Sequence, residues 1–386
     1  MKIEKIIPGG QALGTNGDGK KVFLWNALPG EEIIEWHIIK KKSSYDEAIP
    51  NVISNFSPHR VRPKDACFLS TSPWQIMDYD YELKIKSDLI KEIFREHGID
   101  INAPEVATDY KDYFYRNKME YSLYFSHDDE KIHLSFHERG SHRKIPITSS
   151  SLEKPEIFKK AQEIVDDLNS RHEEARKYQT LLLRCNNNGE VSGGLYENGQ
   201  PHPTFKNLTD HILGREYSYS PNGFFQINLP VYKMALTDIK RYIKTDHVLD
   251  LYSGVGTIGL STARDKHLTL VEVDKSAYQE LLYNTKNLKN IKTILDKSEN
   301  IINNIKNNQT IILDPPRAGI DIKLAEKLLA VEPPKIIYLS CNPTTQARDT
   351  KILLEKYDIE FIKAYNFFPR TPHIENLIVL TKKPLA

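Results

Sequence analysis

The sequence predicts a three-part α/β chain whose C-terminal part is a mostly parallel sheet with helices on both faces. Three observations predict it. From about residue 216, short apolar runs (VLDLYS 248–253, LTLVEVD 268–274, TIILDPP 310–316, KIIYLSC 335–341) alternate with helix-length polar segments. Before them, YFYRNKMEYSLYFS (113–126) and KIHLSFHERG (131–140) alternate between polar turns with the period of an antiparallel sheet. The first 64 residues are cut into short β segments by Gly9, Gly10, Gly14, Gly17 and Gly19. The expected domains are 1–64, a small β-module; 65–215, an α+β domain; and 216–386, the parallel-sheet domain. A chain of 386 residues has room for two or three domains at roughly 150 residues each.

In chain order, KVFLWNALPGEEIIEWHIIKKK (21–42) reads as strand, turn at Pro29-Gly30, strand. The module carries ten Lys/Arg against seven Asp/Glu, with Lys40, Lys41 and Lys42 in one run. Two readings of it stand: a basic barrel presenting Phe23, Trp25 and Trp36 to single-stranded nucleic acid, or a solvated hairpin with core aromatics. IMDYDYELKIKSDLIKEIFREHG (76–98) has helical periodicity and stops at Gly98, and residues 151–177 continue as an amphipathic helix. TLLLRCNNNGEVSGGLY (180–196) is a hairpin around Asn188-Gly189. IEFIKAYNFFPR (359–370) and NLIVLTKK (376–383) fit an antiparallel hairpin closing the sheet edge.

Composition excludes several classes. Three cysteines, Cys67, Cys185 and Cys341, are no secreted disulfide framework. No apolar run reaches the ~18 residues of a membrane span, and MKIEKIIPGG does not read as a signal peptide. A cytoplasmic protein is expected. The balance of 53 Lys+Arg against 52 Asp+Glu confines any nucleic-acid contact to local patches.

The chemistry-bearing motifs sit in the last domain. DLYSGVGTIG (250–259) leaves a strand and opens a helix, and its glycines let the backbone approach a ligand. Glu272, at the end of the next strand, is placed to accept ribose hydroxyls. NAD fits such a turn. S-adenosylmethionine is preferred, because its binding turn needs no helix terminus aimed at a pyrophosphate and tolerates Asp250 before the glycines. In Asp314-Pro315-Pro316-Arg317, two prolines fix the carboxylate before them at the sheet's ligand crevice. A polar group there also suits a nucleobase amino group, so amino-methylation stays open. Cys341 ends a strand before a helix whose free N–H groups are expected to lower its pKa, and beside such a thiol Glu375 is a candidate base. In SPNGFFQIN (220–228), two aromatics and an amide suit a flat base as well as a packed loop.

Together FFQIN, LDLYSGVGTIGL, VEVD, ILDPPRAG, LSCNP and FPRTPHIEN resemble, in order and spacing, the RNA 5-methyluridine methyltransferases. YRNKMEYSL (115–123) resembles that family's central domain, and GGQALGTNGDGKKVFLWNALPGE (9–31) its N-terminal TRAM domain, an OB-like RNA-binding barrel. The resemblance implies a Rossmann-like domain that binds S-adenosylmethionine and methylates C5 of a uridine in RNA. It implies Cys341 as nucleophile at C6, Glu375 as base, and Asp314 at the uracil edge and near the cofactor. Gln226, Tyr252, Gly254, Thr257, Glu272 and Asp296 fall at cofactor-contacting positions, and Phe225 and Gln226 at substrate-contacting ones. The barrel favours 23S rRNA; tRNA is the other candidate. Where many relatives hold an iron–sulfur cluster on four cysteines, this chain has RVRPKDACFLSTSPWQ (60–75), keeping only Cys67, and serines in SSSLEKP (149–155). One thiolate cannot hold the cluster, so no metal is expected. His133, His137 and His142 read as part of a basic RNA-facing hairpin rather than a zinc site. A monomer is expected. The alternatives are an amino-methyltransferase working through Asp314 and a catalytically silent RNA-binding protein.

Overall fold

The computed structural model describes residues 1–171, 177–197, 199–202 and 205–384. The N-terminal strands are β1 (Ile3–Ile6), β2 (Ala12–Thr15), β3 (Lys21–Leu24), β4 (Glu32–Lys41) and β5 (Tyr45–Asn55), in the order β1-β2-β3-β5-β4. Backbone bonds from Ile3 N to Glu31 O and from Ile33 N to Met1 O close this sheet on itself, giving an OB-like barrel. The strands on either side of Pro29-Gly30 form as expected, but they are not hairpin partners. Asn26 (φ 60°) and Gly30 (φ 87°) turn the chain across the barrel, and β5 lies between β3 and β4.

Next come α1 (Phe68–Thr71), α2 (Tyr79–Glu96), β6 (Val106–Ala107), β7 (Lys118–Ser126), β8 (Lys131–His137), β9 (Lys144–Pro146), α3 (Pro155–Ser170), β10 (Tyr178–Cys185), β11 (Val191–Glu197) and β12 (Gln200–His202). Six of the strands form an antiparallel sheet, β12-β11-β10-β7-β8-β9. Ile157, Ala161, Val165 and Leu168, one face of α3 at helical spacing, bury against Leu134 and Leu181 of that sheet. Part of the helix expected at 151–177, residues 172–176, lies outside the described residues. Asp78 caps α2 by accepting from Tyr81 N, and Gly98 (φ 71°) follows its end, a left-handed stop that glycine adopts freely. This helix packs on the last domain: Leu89, Ile93 and Phe94 share a core with Ile336, Tyr338 and Leu353.

The remaining elements are the hairpin β13 (Leu208–Ile212) and β14 (Arg215–Tyr219), then α4 (Leu229–Tyr242), β15 (His247–Leu251), α5 (Thr257–Thr262), β16 (His267–Glu272), α6 (Lys275–Thr285), β17 (Ile291–Leu295), β18 (Gln309–Leu313), α7 (Ile322–Val331), β19 (Lys335–Ser340), α8 (Pro343–Leu353), β20 (Tyr357–Tyr365) and β21 (Glu375–Lys382). The sheet order is β17-β16-β15-β18-β19-β21-β20-β6. Neighbours among β15 to β19 are parallel, and every residue of β18 is buried, which accounts for its unbroken apolar run. The β20–β21 hairpin forms, with β21 inserted between β19 and β20. The edge beyond it belongs to β6, which reaches over to pair in parallel with Ala364 and Tyr365.

Candidate active site

A cleft of about 1220 Å³ opens at the C-terminal ends of β15, β16, β18 and β19, where ligands of open parallel sheets bind. Its wall includes Phe225, Gln226, Tyr252, Gly254, Thr257, Glu272, Asp314, Cys341 and Glu375. Asp296 is not brought into that wall. Its Oδ1 accepts from Lys297 N and Asn300 Nδ2, both at 2.7 Å, and Lys297, Ser298 and Glu299 line the cleft in its place.

The glycine turn is built from below. Asp250 is fully buried, its Oδ2 accepts from Gly259 N at 2.9 Å, and burial pushes its pKa well above the carboxylate range. Tyr252 takes a left-handed backbone (φ 66°) and donates to Glu299 Oε1 at 2.9 Å. A Cβ on Gly256 (φ 89°) would lie 2.6 Å from Leu281 Cδ1, so the turn needs glycine there on both counts. At Gly254 (φ 56°) a Cβ would meet nothing within 4 Å; the backbone there faces open space. Glu272 ties turn to strand, accepting from Gly254 N on Oε2 and from Val273 N and Asp274 N on Oε1. With about four lone-pair sites on a carboxylate, capacity remains for a ribose hydroxyl. Half-exposed Val273 adds apolar surface beside it. These residues fit an adenosyl group.

The reactive end is set by strand register. Ser340 pairs with Asn376 across β19 and β21, which makes Cys341 and Glu375 the next facing positions. Gln346 Nε2 donates to the carbonyls of both Tyr338 and Asn376, and Asn376 Nδ2 returns a bond to Gln346 Oε1, locking that register. Asn342 caps α8 and donates through Nδ2 to Arg317 O at 2.8 Å, fastening the Asp-Pro-Pro-Arg loop to the cysteine loop.

Three acidic groups crowd here, and the consequence reverses one expectation. The Cys341 thiol is pushed up to about 11 by burial and then by Glu375 and Asp314, with Arg317 opposing. At the start of the following helix, Asn342 accepts from Thr344 N with its side chain. Burial pushes Asp314 up to about 7 and Glu375 well above the carboxylate range, the latter aided by Asp314. Above about pH 7, where Asp314 is ionised, Asp314→Asn is expected to let the thiol ionise at lower pH. The pH dependence of iodoacetamide alkylation checks this; an unmoved midpoint would refute it. Cys67 and Cys185 are 4% and 0% exposed, so alkylation of the folded chain reports Cys341.

The other wall carries the FFQIN segment (224–228), clamped by the central sheet. Arg184, 1% exposed on β10, donates to Gly223 O and to Phe225 O at 3.2 and 2.7 Å. Lys118 reaches Asn222 O at 3.0 Å, and Asn117 Nδ2 reaches Gln226 O at 3.0 Å. Phe225 is 3% exposed and stacks on Tyr219 at 3.9 Å, while Phe224 stands 72% exposed on the cleft wall. The exposed ring of the pair is therefore Phe224, which the sequence pattern does not separate from its neighbour. Arg184→Met leaves the buried Phe225 carbonyl without Arg184, whereas Gly223 O keeps Lys118 Nζ at 3.4 Å, and is expected to cost roughly 1–3 kcal/mol, read as a lower urea midpoint.

Arg116, Arg317 and His373 also line the cleft and were not among the expected contacts, although the motifs YRNK, DPPR and PHIEN contain them. Charge in otherwise apolar or proline-rich segments was the available signal. The 131–144 hairpin differs from expectation too. Arg139 lies 4.1 Å over the Trp25 ring of the barrel, Arg143 pairs with Glu138 and His133 with Asp129. Much of its charge is spent on internal partners. Among the described residues no group of three or more His, Cys, Asp or Glu is arranged to hold a metal ion, and no helix is long and apolar enough to cross a membrane.

The Rossmann-like sheet, its glycine turn and the acid-lined cleft form a cofactor site of the doubly wound type. A profile of the tRNA (uracil-5-)-methyltransferase family matches residues 207–383. An uncharacterized RNA methyltransferase of Fusobacterium nucleatum is 28% identical, over 99% of this chain and 95% of its own length. One from Bacillus cereus is 27% identical over 96% and 95%. The crystal structure of the Pyrococcus abyssi tRNA (uracil-54, C5)-methyltransferase with S-adenosyl-L-homocysteine shares the fold, with a TM-score of 0.79 at 23% identity over 99% of this chain and 100% of that one. The chain is an RNA methyltransferase similar to these proteins, and its residues 207–383 match the profile of the tRNA (uracil-5-)-methyltransferase family.

Proposed function

We propose that the chain methylates C5 of a uridine in RNA, with S-adenosylmethionine as cofactor and a covalent bond between Cys341 and C6 of the base. The observation that supports this most is the facing register of Cys341 and Glu375 beside Asp314 in one cleft. When bound, S-adenosylmethionine supplies an electrophilic methyl group on a sulfonium; Gly254, Thr257, Glu272 and Val273 are the residues that would hold it. C5 of uracil is a weak nucleophile. The Cys341 thiolate adds to C6, and the displaced electron pair makes C5 an enolate carbon. Asp314, carrying its proton below about pH 7, donates to or accepts from the uracil edge. Once C5 is methylated, ionised Glu375 removes the C5 proton and the Cys341–C6 bond breaks, restoring the double bond and the thiolate. Because the resting cleft keeps the thiol and Glu375 protonated, both must lose protons for turnover, and the rate is expected to rise with pH. The target base has to leave its stack to reach Cys341.

The barrel takes the role of a TRAM domain gripping RNA, with exposed Lys40–Lys42 toward phosphate. That domain favours 23S rRNA, whereas the names of the family and of the archaeal structure point to tRNA. Mass-spectrometric mapping of 5-methyluridine in both RNAs, with and without the gene, separates the two. Loss from neither overturns the reading.

A further inference from the structure

We propose that the loop 108–116 is a stacking platform for unpaired nucleotides flanking the target uridine, an inference that rests on the reading above that the substrate is RNA. The loop reads TDYKDYFYR, four aromatics among two basic and two acidic residues, and its aromatics divide into two sets. Tyr113 and Tyr115 are anchors, 9% and 5% exposed. Lys64 Nζ lies 3.8 Å over the Tyr113 ring, and the Tyr115 hydroxyl donates to Pro369 O at 3.0 Å. Tyr110 and Phe114 point the other way, 71% and 47% exposed. Phe114 stands between the two buried rings and Tyr110 meets Tyr79 edge-on at 6.3 Å, and neither exposed ring belongs to a slack loop, because the backbone around them is tied down. Phe114 N donates to Ser151 O at 2.9 Å, Tyr110 N to Thr108 Oγ1 at 3.1 Å, and Asp112 pairs with Arg370.

The two exposed rings also sit on the loop's two left-handed residues, Tyr110 (φ 59°) and Phe114 (φ 54°). Side-chain-bearing residues adopt that conformation at a cost, and glycine would be the easy choice. Retaining an exposed aromatic at each is conformational strain spent on display, the pattern expected of a ligand-facing segment. Position agrees. The loop leaves β6 beside Ala364 and Tyr365, and Tyr365 faces Glu375 across β20 and β21, so it starts at the same end of the sheet as Glu375, with Tyr110 lining a neighbouring groove beside Lys233 and Arg241. Three strand spacings, about 14 Å, separate β6 from β19 and Cys341. The loop ends at Arg116, which lines the cleft itself. Sequence-tolerant stacking on aromatics, with Lys111 and Arg116 toward phosphate, is how single strands are held.

The test uses the whole protein and a single-stranded uridine oligonucleotide, in one version intact and in another abasic at the positions flanking the target. Tyr110→Gly and Phe114→Gly are measured for Tm, RNA affinity by fluorescence anisotropy, and KM and kcat for RNA. Each variant is expected to keep or raise Tm, because glycine relieves the backbone, while affinity falls about five- to 150-fold, from the roughly 1–3 kcal/mol of one stacked base. KM should carry the loss, with kcat unchanged, and Phe114→Tyr should restore binding. Abasic flanks should weaken the wild type but not the double variant. Unchanged affinity, an abasic penalty of equal size in both proteins, or a loss of affinity explained by a lowered Tm overturns the platform. If wild type binds the oligonucleotide yet methylates no RNA, the reading of function fails while anisotropy still decides the platform.

Discussion

Replacing Cys341 with Ala is expected to lower methyl transfer by about four orders of magnitude or more, the scale seen when a covalent nucleophile is removed, while S-adenosylmethionine binding stays intact. Cys341 is a partly buried thiol rather than a packed core residue, and the residues that would hold the cofactor lie on β15, β16 and their turns. Transfer of labelled methyl to RNA and isothermal titration with the cofactor measure the two halves. An amino-methyltransferase working through Asp314 would keep its turnover in this variant, so retained activity would favour that chemistry.

Glu375→Gln is expected to stop turnover after methylation and leave protein joined to RNA through Cys341, visible as a band that survives denaturing electrophoresis. No accumulated adduct would remove Glu375 from the role of base. The same substitution is expected to stabilise the free protein at neutral and alkaline pH. The sign follows from linkage. Glu375 is 4% exposed and its pKa is raised in the fold. Its stabilising protonation is therefore complete below the unfolded carboxylate value and is lost as pH rises through the folded one. Glutamine keeps the neutral form at every pH. Thermal unfolding at pH 5 and pH 8 should show wild type and variant close together at the lower value and the variant ahead at the higher one. A catalytic group that weakens the fold is a common cost of function.

Much of this site was legible from residues because its parts lie at strand ends, where apolar runs stop. VLDLYS, TIILDPP and KIIYLSC mark β15, β18 and β19, and the polar residue that closes each run falls at the crevice. What could not be read depends on contacts between distant segments. Asp296 also follows a strand, but its Oδ1 is turned to Lys297 N and Asn300 Nδ2 of the next turn. Phe224 and Phe225 are alike in sequence, and only the stack with Tyr219 decides which one is buried. The cysteine's elevated pKa arises from burial and then from carboxylates 34 positions after it and 27 before it, a sum no local motif contains. The partner of β20 comes from Val106–Ala107, too short a strand to announce itself.

The insertion of β21 between β19 and β20 has a further meaning for the newborn protein. Every other strand of that sheet precedes β21 in the chain. While translation is still in progress, the pocket for the cofactor can be complete although thiol and base have not yet met. Nucleophile and base become neighbours only once β21 has paired with β19, so the base comes from the strand of this sheet that is made last.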